Sequence, residues 1–384
     1  MPIGYLISVL VAGAATFLAL SPRSTKGPRA TPAFIVETAA NELPFLIFYW
    51  LVASTALAAA QDDIDTSVGW IGVGLAVLTT VGLAVVVWRA IESRSALDRA
   101  LDSGLGVDGR TALDPATSRC SSRRFPLWHA LVAPLRFSPR GVGRTRNVAY
   151  GPRGAANLLD VYRNRSHPTG CPVFVYLHPG GFFSGRKSRE ARPIMDRLVR
   201  TGWVCVSANY RLGREGAFPS NLIDAKRAVA WLRDHADEYG VDPGTLVVAG
   251  GSAGAHLAAM CALTPNDPTF QPGFERADTT VTAAIGLYGY YGPAPTKGPM
   301  PSCPADYARA DAPPLLVVHG ARDPMVPAED ARRFAEVVRA ASSNPVVYAE
   351  LPGGQHNFDR FPSIRSAAVT DGIEAFTDWV RSTR

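Results

Sequence analysis

The hydrophobic and polar positions divide the chain into a very apolar N-terminal part and a longer part in which apolar runs alternate with amphipathic stretches. Residues 2–20, 44–60 and 68–88 carry no charged side chain, and each run approaches or reaches the length that a helix needs to cross a bilayer. No basic residue precedes the first run, which favours a membrane helix over a cleaved signal peptide. Three such runs in close succession argue against a buried hairpin of a soluble protein. We therefore predict a transmembrane region over residues 1–91, with helices at about 2–20, 44–60 and 68–88.

The charges between these runs predict an orientation. Residues 21–30 contain three basic residues and no acid, whereas residues 61–67 contain three aspartates and no base. Because basic loops stay on the cytoplasmic side, the N-terminus is predicted outside and everything after Arg89 inside. Arginine far outnumbers lysine and alanine is abundant, which is typical of a high-GC bacterial genome. We expect a multi-pass protein of a bacterial plasma membrane whose larger part is cytoplasmic.

Residues 92–146 are predicted to connect the membrane region to the rest of the chain. From residue 115 to residue 146 there are seven arginines and no acid, and the apolar aromatic run Phe125–Phe137 lies among them. This segment is either a linker that packs on the following domain, where it could cap a site, or a membrane-surface segment whose arginines meet anionic headgroups. The net charge of +6 is therefore attributed to membrane contact, and no nucleic acid partner is predicted.

From Asn147 onward the pattern alternates between strands and helices. The apolar strands favour a mostly parallel sheet covered by helices on both faces, an α/β domain over residues 147–384. The predicted strands are Asn157–Tyr162, Val173–Leu177, Val204–Ala208, Leu246–Ala249, Val281–Leu287, Leu315–His319 and Val346–Leu351. The predicted helices are Glu190–Thr201, Leu222–Tyr239, His256–Leu263, Ala328–Ser342 and Ser363–Arg381. The five cysteines are scattered and form no Cys-x-x-Cys pair, so no disulfide framework, metal site or cofactor is predicted.

The motif Gly250–Gly254, which reads GGSAG, lies between the predicted strand Leu246–Ala249 and the predicted helix His256–Leu263. A strand, G-x-S-x-G and a helix in this order predict a nucleophile elbow. The glycines permit a turn that is too tight for neighbouring side chains, and Ser252 would project its hydroxyl above the sheet edge. The alternative is a glycine-rich turn with an incidental serine.

A serine nucleophile needs a base, and the base needs an acid that orients it. In a parallel sheet both must come from loops at the carboxyl ends of strands. His356 lies in a loop after the last predicted strand, and Asp323 follows the strand Leu315–His319, so we predict the triad Ser252, Asp323 and His356. A solvated loop histidine is the alternative for His356. His256 is predicted to be a packing residue and His319 to occupy a turn.

An oxyanion that forms on the substrate needs preorganised N–H donors. Ala253 supplies one at the start of the helix, and Gly180 and Gly181 are the predicted others because they follow an early strand. An ordinary Pro-Gly turn is the alternative for these glycines. An apolar acyl pocket is assigned to five aromatic residues, for which ordinary core or loop packing is the alternative: Phe182, Phe183, Tyr288, Tyr290 and Tyr291.

These motifs together resemble the hormone-sensitive-lipase-like and carboxylesterase branch of the α/β-hydrolase superfamily. The resemblance covers roughly residues 145–384 and implies an eight-stranded sheet and hydrolysis of carboxylic esters through an acyl-enzyme. The chain as a whole is similar to membrane-anchored actinobacterial esterases. Pro179 replaces a glycine of the usual HGGG, and Gly251 stands where an acidic residue is common. The matching segments, in order, are HPGG at 178–181, NYR at 209–211, GGSAG at 250–254, HGARDPMVP at 319–327 and GGQHNF at 353–358.

The sequence thus predicts a membrane-anchored serine esterase or lipase that acts on a small or lipophilic ester. An acyltransferase that passes the acyl group to a lipid or sugar hydroxyl would use the same triad. A membrane scaffold with an inactive hydrolase fold is the alternative from another class. The sequence leaves the oligomeric state open.

Overall fold

A computed structural model describes residues 2–21, 32–106, 141–166, 168–296 and 298–383. Its N-terminal helices are α1 (Pro2–Leu20), α2 (Pro32–Glu42), α3 (Pro44–Ala60) and α4 (Ser67–Leu105). By length and composition α1 and α4 could each cross a membrane, and α2 with α3 could form a third span that is bent by 87°. Pro44 explains the break, because proline disfavours a helical conformation in the residue before it and lacks the N–H that would continue the helix.

Helices α1, α3 and α4 pack through small residues and hydroxyl groups. A Cβ on Gly72 of α4 would lie 2.6 Å from the ring of Tyr5 in α1, so the two helices approach closely. The hydroxyl of Tyr5 lies 3.0 Å from Thr55 Oγ1 in α3. Close contacts of this kind, joined by hydrogen bonds between hydroxyls, are typical of helices that associate in lipid.

Helix α4 is longer than the sequence predicts, since the helix expected to end near residue 88 continues to Leu105. Its 39 residues span about 58 Å, roughly twice the thickness of a bilayer's hydrocarbon core. The buried positions Ala90, Ser93, Leu97 and Leu101 follow a helical period through the charged residues. The end of the uncharged run at residue 88 therefore marks the end of the apolar segment and not the end of the helix. The predicted basic segment lies mostly in residues 107–140, outside the described residues.

The sheet described by the structure has eight strands in the order β1-β2-β4-β3-β5-β6-β7-β8. Strand β2 runs antiparallel to both β1 and β4, and the strands from β4 to β8 are parallel. The mostly parallel sheet is confirmed, and β1 is a strand that the hydrophobic pattern did not predict. The strands are β1 (Val142–Ala149), β2 (Leu158–Asn164), β3 (Cys171–Leu177), β4 (Val204–Ala208), β5 (Val241–Gly251), β6 (Ala283–Leu287), β7 (Leu315–Gly320) and β8 (Val346–Leu351).

Helices cover both faces of the sheet. The domain's helices are α5 (Arg192–Arg200), α6 (Ser220–Asp234), α7 (Ala236–Tyr239), α8 (Ala253–Leu263), α9 (Ala328–Ala341) and α10 (Ile364–Ser382). Val173 and Val175 of β3 pack in the cluster that contains α6, α8 and α9. Phe174 and Tyr176 point to the opposite face, where they join residues of α5, α10 and the C-terminal half of α4. This alternation is the period of a strand buried on both faces.

We expect Leu97→Ala to lower the free energy of unfolding by about 2–5 kcal/mol, because it would leave a cavity where α4 packs on the α/β domain. Leu97 is 2% exposed, and a Cβ on Gly372 of α10 would lie 2.0 Å from its side chain. The measurement is denaturant unfolding in detergent micelles, with the exposed Ser95→Ala as the matched control. Equal midpoints for the two variants would contradict a structural role of α4 in this core.

Candidate active site

Ser252 occupies a strained turn between β5 and α8. Its φ is 52° and its ψ is −116°, a conformation that a residue with a side chain rarely adopts. A Cβ on Gly250 would lie 2.2 Å from the backbone carbon of Gly254, and a Cβ on Gly254 would lie 2.0 Å from Leu177 O. The glycines are therefore required by contact of the turn with itself and with β3.

Hydrogen bonds fix the backbone of Ser252 on both sides. Its N–H donates to Leu287 O at 3.0 Å, and its carbonyl accepts from the N–H groups of Tyr290 at 3.2 Å and Ala255 at 3.0 Å. The end of β6 and the segment that follows it thus hold the turn in place. The side chain of Ser252 lines a cavity at the carboxyl edge of the sheet.

Asp323 follows β7 and is held by four groups. Its Oδ1 accepts from the N–H groups of Met325 at 2.8 Å and Val326 at 2.9 Å. Its Oδ2 accepts from His356 Nδ1 at 2.6 Å and lies 3.4 Å from His319 Nε2. Burial alone would raise the pKa of Asp323, but His356 and His319 outweigh it and hold that pKa well below its usual range. The carboxylate is therefore ionised at neutral pH.

His356 follows β8 and is 2% exposed. An ionised carboxylate only accepts hydrogen bonds, so the contact with Asp323 places a proton on Nδ1 of the imidazole. This leaves Nε2 of neutral His356 as the nitrogen that can accept a proton. The ring of Tyr288 packs against the imidazole, with centroids 4.7 Å apart.

A buried network that the sequence does not predict lies behind His356. Asp359 accepts hydrogen bonds from the hydroxyls of Tyr288 at 2.6 Å and Tyr176 at 3.0 Å. Burial raises the pKa of Asp359, and the two hydroxyls oppose that change in part. The signal available in the sequence is an acid three residues after the candidate base, which also suits an ordinary loop. His319 is likewise more than the turn residue expected, since it is fully buried beside Asp323.

The predicted oxyanion donors lie on a glycine loop and at a helix N-terminus. Gly180 has φ 140° and Gly181 has φ 62°, and a Cβ on Gly180 would lie 1.9 Å from Ser184 O. The N–H of Ala253 begins α8, where no helical carbonyl is available to it. His178 stacks on Tyr210 with centroids 4.4 Å apart, which fixes the strand end before this loop. Burial lowers the pKa of His178 to about 4, so the imidazole is neutral.

A cavity of about 500 Å³ adjoins Ser252. Of the five aromatic residues predicted for an acyl pocket, Phe182, Phe183 and Tyr290 line this cavity. Tyr288 and Tyr291 belong to the core instead. Tyr288 directs its hydroxyl to Asp359, and Tyr291 stacks on Phe334 with centroids 4.0 Å apart. The hydrophobic pattern could not separate them because all three tyrosines follow the same strand. The other lining residues are Gly181, Ala253, Pro293, Ala294, Pro295, Met325 and Val326.

The position before Ser252 has room for a glycine only. A Cβ on Gly251 would lie 2.4 Å from the hydroxyl of Tyr288. Tyr288 therefore fills the space that an acidic side chain at this position, common in the hormone-sensitive-lipase-like branch, would need. His256 is completely buried in α8, and its ring meets that of Phe182 edge-on at 5.3 Å. This agrees with a packing role. Within the described residues, no group of three or more His, Cys, Asp or Glu side chains is arranged to hold a metal ion.

Known proteins resemble this chain in sequence and fold. A family model described as BD-FAE matches residues 159–294. The probable carboxylic ester hydrolase LipM of Mycobacterium tuberculosis is 34% identical, and the alignment covers 100% of this chain and 94% of that protein. Esterase LipQ of the same organism is 36% identical over 75% of each chain. The butyrate-bound esterase 2 of Thermogutta terrifontis superposes with a TM-score of 0.52 and 27% identity, covering 62% of this chain and 92% of that one.

Glu190 is a buried acid near Asp359, and its raised pKa predicts how the stability of the protein depends on pH. Burial raises the pKa of Glu190 to about 7, and the nearby Asp359 adds to this effect. The folded protein therefore keeps this proton to a higher pH than the unfolded chain, so the associated stability is complete below about pH 4.5 and is lost as the pH rises to about 7. We expect Glu190→Gln to match wild type at pH 4.5 and to be more stable by up to about 3 kcal/mol at pH 8. Equal unfolding midpoints at pH 8 would contradict this expectation.

Proposed function

The chain belongs to the carboxylic ester hydrolase family of these mycobacterial relatives, and from that premise we propose that it is a membrane-anchored serine esterase that acts on lipophilic esters. One observation supports this most strongly. His356 Nδ1 lies 2.6 Å from Asp323 Oδ2, at the same edge of the sheet where Ser252 lies in its strained turn. A base that is oriented by a buried carboxylate, at the sheet edge that also carries the serine turn, is the arrangement required for acyl transfer through serine.

In the proposed acylation step, His356 Nε2 takes the hydroxyl proton of Ser252 as Oγ attacks the ester carbonyl carbon. The negative charge that develops on the carbonyl oxygen is stabilised by the N–H groups of Gly180, Gly181 and Ala253. Asp323 keeps the imidazole in the correct tautomer and stabilises its protonated form. The carbon–oxygen bond to the alcohol then breaks, and the alcohol leaves with the proton from His356.

Deacylation reverses these roles with water as the nucleophile. His356 takes a proton from water, and the hydroxide oxygen attacks the acyl carbonyl. The tetrahedral intermediate collapses when the bond to Ser252 Oγ breaks, and Oγ takes the proton back. The product acid is released, and every proton that moves is carried by His356.

The cavity beside Ser252 suits the acyl part of the substrate. Its lining is largely apolar, and Phe183 at 58% exposure offers an aromatic surface to the solvent or to lipid. Its volume of about 500 Å³ lies within the range of about 300–1,000 Å³ for small-molecule sites. A lipophilic acyl group is the ligand that this lining favours.

The N-terminal helices support anchoring in the membrane. Ile3–Leu20 and the apolar part of α4 have mean hydropathies of 2.2 and 2.3. Both helices expose large apolar side chains, for example Leu78 of α4, which is 67% exposed. The alignment with LipM includes this region, since it covers the whole chain. We propose three spans, formed by α1, α3 and the apolar part of α4, with the N-terminus outside and the catalytic domain in the cytoplasm.

We expect Ser252→Ala to reduce kcat for p-nitrophenyl butyrate by on the order of 10⁴-fold or more, because the nucleophile is removed. Asp323→Asn should lose on the order of 10⁴-fold, because it disturbs the tautomer of His356. Both are measured on the full chain in detergent micelles, with the exposed Ser166→Ala as the matched control. A fluorophosphonate probe should label wild type and Ser166→Ala but not Ser252→Ala. Hydrolysis by folded Ser252→Ala at the wild-type rate would refute the assignment.

Membrane anchoring predicts that the full chain stays with the bilayer after washing with alkaline carbonate, because its spans lie in the hydrocarbon core. In inverted bacterial membrane vesicles, protease should remove a C-terminal epitope tag and leave an N-terminal tag intact. The reverse pattern would overturn the proposed orientation, and release by carbonate would overturn the anchoring itself.

A further inference from the structure

The N-terminal helices contact the loop that carries the candidate base. We name residues 352–363, between β8 and α10, the histidine loop. Gln355 Nε2 in this loop donates to Ala19 O of α1 at 3.0 Å, and Asn41 Nδ2 of α2 donates to Gly353 O at 3.3 Å. Both bonds lie within three residues of His356, so α1 and α2 reach the immediate neighbourhood of the imidazole.

A buried ion pair fixes the end of α2 to the far end of the histidine loop. Glu42 accepts from Arg365 Nη1 and from the hydroxyl of Ser363 at 2.5 Å. The side chains of Glu42 and Arg365 are 1% and 0% exposed. A buried pair of charges is weak evidence for stability because desolvation opposes it, but breaking it leaves an uncompensated charge. The pair therefore specifies one position of α2 on the catalytic domain.

The other side of the histidine loop is closed by α4. Gly353 has φ 63°, and a Cβ at this position would lie 2.7 Å from Arg89 Cδ. The chain passes close to the Arg89 side chain of α4, and the positive φ at Gly353 favours glycine. Helices α2 and α4 thus both contact the loop three residues before it reaches His356.

Helix α2 also places an aromatic ring next to the base itself. Phe34 is 4% exposed, and its ring centroid lies 6.4 Å from that of His356 at a tilt of 58°. Tyr288 packs on the imidazole at 4.7 Å, so His356 has aromatic neighbours from both the catalytic domain and the membrane region. Ile35 and Val36, the next residues of α2, are 50% and 44% exposed. Only one face of α2 is used for this contact.

We propose that α2 is a positioning element of the active site, which holds the histidine loop so that His356 stays bonded to Asp323 with its Nε2 available to Ser252. The inference rests on the proposed function of this triad, and it makes the membrane region part of the catalytic apparatus as well as an anchor. Loops at the ends of strands are otherwise mobile, and a misplacement of about 1 Å can cost on the order of 10²-fold in rate. Phe34, Asn41 and Glu42 act as positioning residues through the loop.

The test compares Phe34→Ala with Ile35→Ala, which removes a neighbouring apolar side chain that is exposed. The full chain is used in detergent micelles, active sites are titrated with a fluorophosphonate, and kcat is expressed per titrated site with p-nitrophenyl acetate. We expect Phe34→Ala to lower kcat about 10-fold with KM within about twofold of wild type. Ile35→Ala should keep the wild-type kcat, and Phe34→Leu should recover at least half of it.

A merely structural role would give a different result. Phe34→Ala would then show fewer titratable sites or a lower melting temperature with an unchanged kcat per site, and this would overturn the inference. Equal loss in Ile35→Ala would overturn it as well. If Phe34→Ala does not fold, Asn41→Ala tests the same contact through its bond to Gly353 O, with an expected loss in kcat of about 3-fold and the same criteria.

Failure of the inference can be distinguished from failure of the proposed function. If wild type is inactive, or if Ser252→Ala is as active as wild type, the serine esterase mechanism fails. If wild type is active and Ser252→Ala is inactive while Phe34→Ala and Asn41→Ala both keep the wild-type kcat per site, the mechanism stands. In that case the positioning role of α2 alone is refuted.

Discussion

The close backbone contact at Ser252 is the constraint on which the rest of the site depends. The turn fits against β3 only because Gly250 and Gly254 lack side chains. The same lack at Gly251 lets the hydroxyl of Tyr288 approach the strand end and reach Asp359. The ring of Tyr288 then packs on His356. The tight turn therefore sets the position of the serine and also the space in which its candidate base is held.

The pKa values of two buried carboxylates near this turn shift in opposite directions because their partners differ. Asp323 accepts from two backbone N–H groups and lies beside two imidazoles, so its pKa stays low despite burial. Within the described part of the chain, the side chains that donate to Asp359 are the hydroxyls of Tyr176 and Tyr288, and burial raises the pKa of Asp359. Donors that keep a carboxylate ionised suit a group that must stabilise an imidazolium. The network around Asp359 is suited to fixing Tyr288 instead.

The sequence predicts the parts of this fold that depend on local pattern. The mostly parallel sheet, and the placement of Asp323 and His356 after β7 and β8, follow from apolar runs and the rule that sites lie at strand ends. The C-terminal half of α4 was not predicted, because charged residues interrupt its uncharged run. Its buried residues continue along one face of the same helix. Tyr288 and Tyr290 could not be separated, since their different surroundings come from Asp359, 71 residues after Tyr288, and from the cavity. Contacts between distant segments, such as Phe34 with His356, leave no periodic signal.

The N-terminal helices and the α/β domain share one interior. Leu97 and Leu101 of α4 belong to the same hydrophobic cluster as Phe376 of α10 and the strands β7 and β8. Glu42 at the end of α2 and Arg365 at the start of α10 form a buried ion pair. Without these helices, the α/β domain would expose an apolar core surface. Its histidine loop would also lose the hydrogen bonds that it makes with α1 and α2. The position of the N-terminal helices on the domain and the geometry of its histidine loop are therefore determined by the same set of contacts.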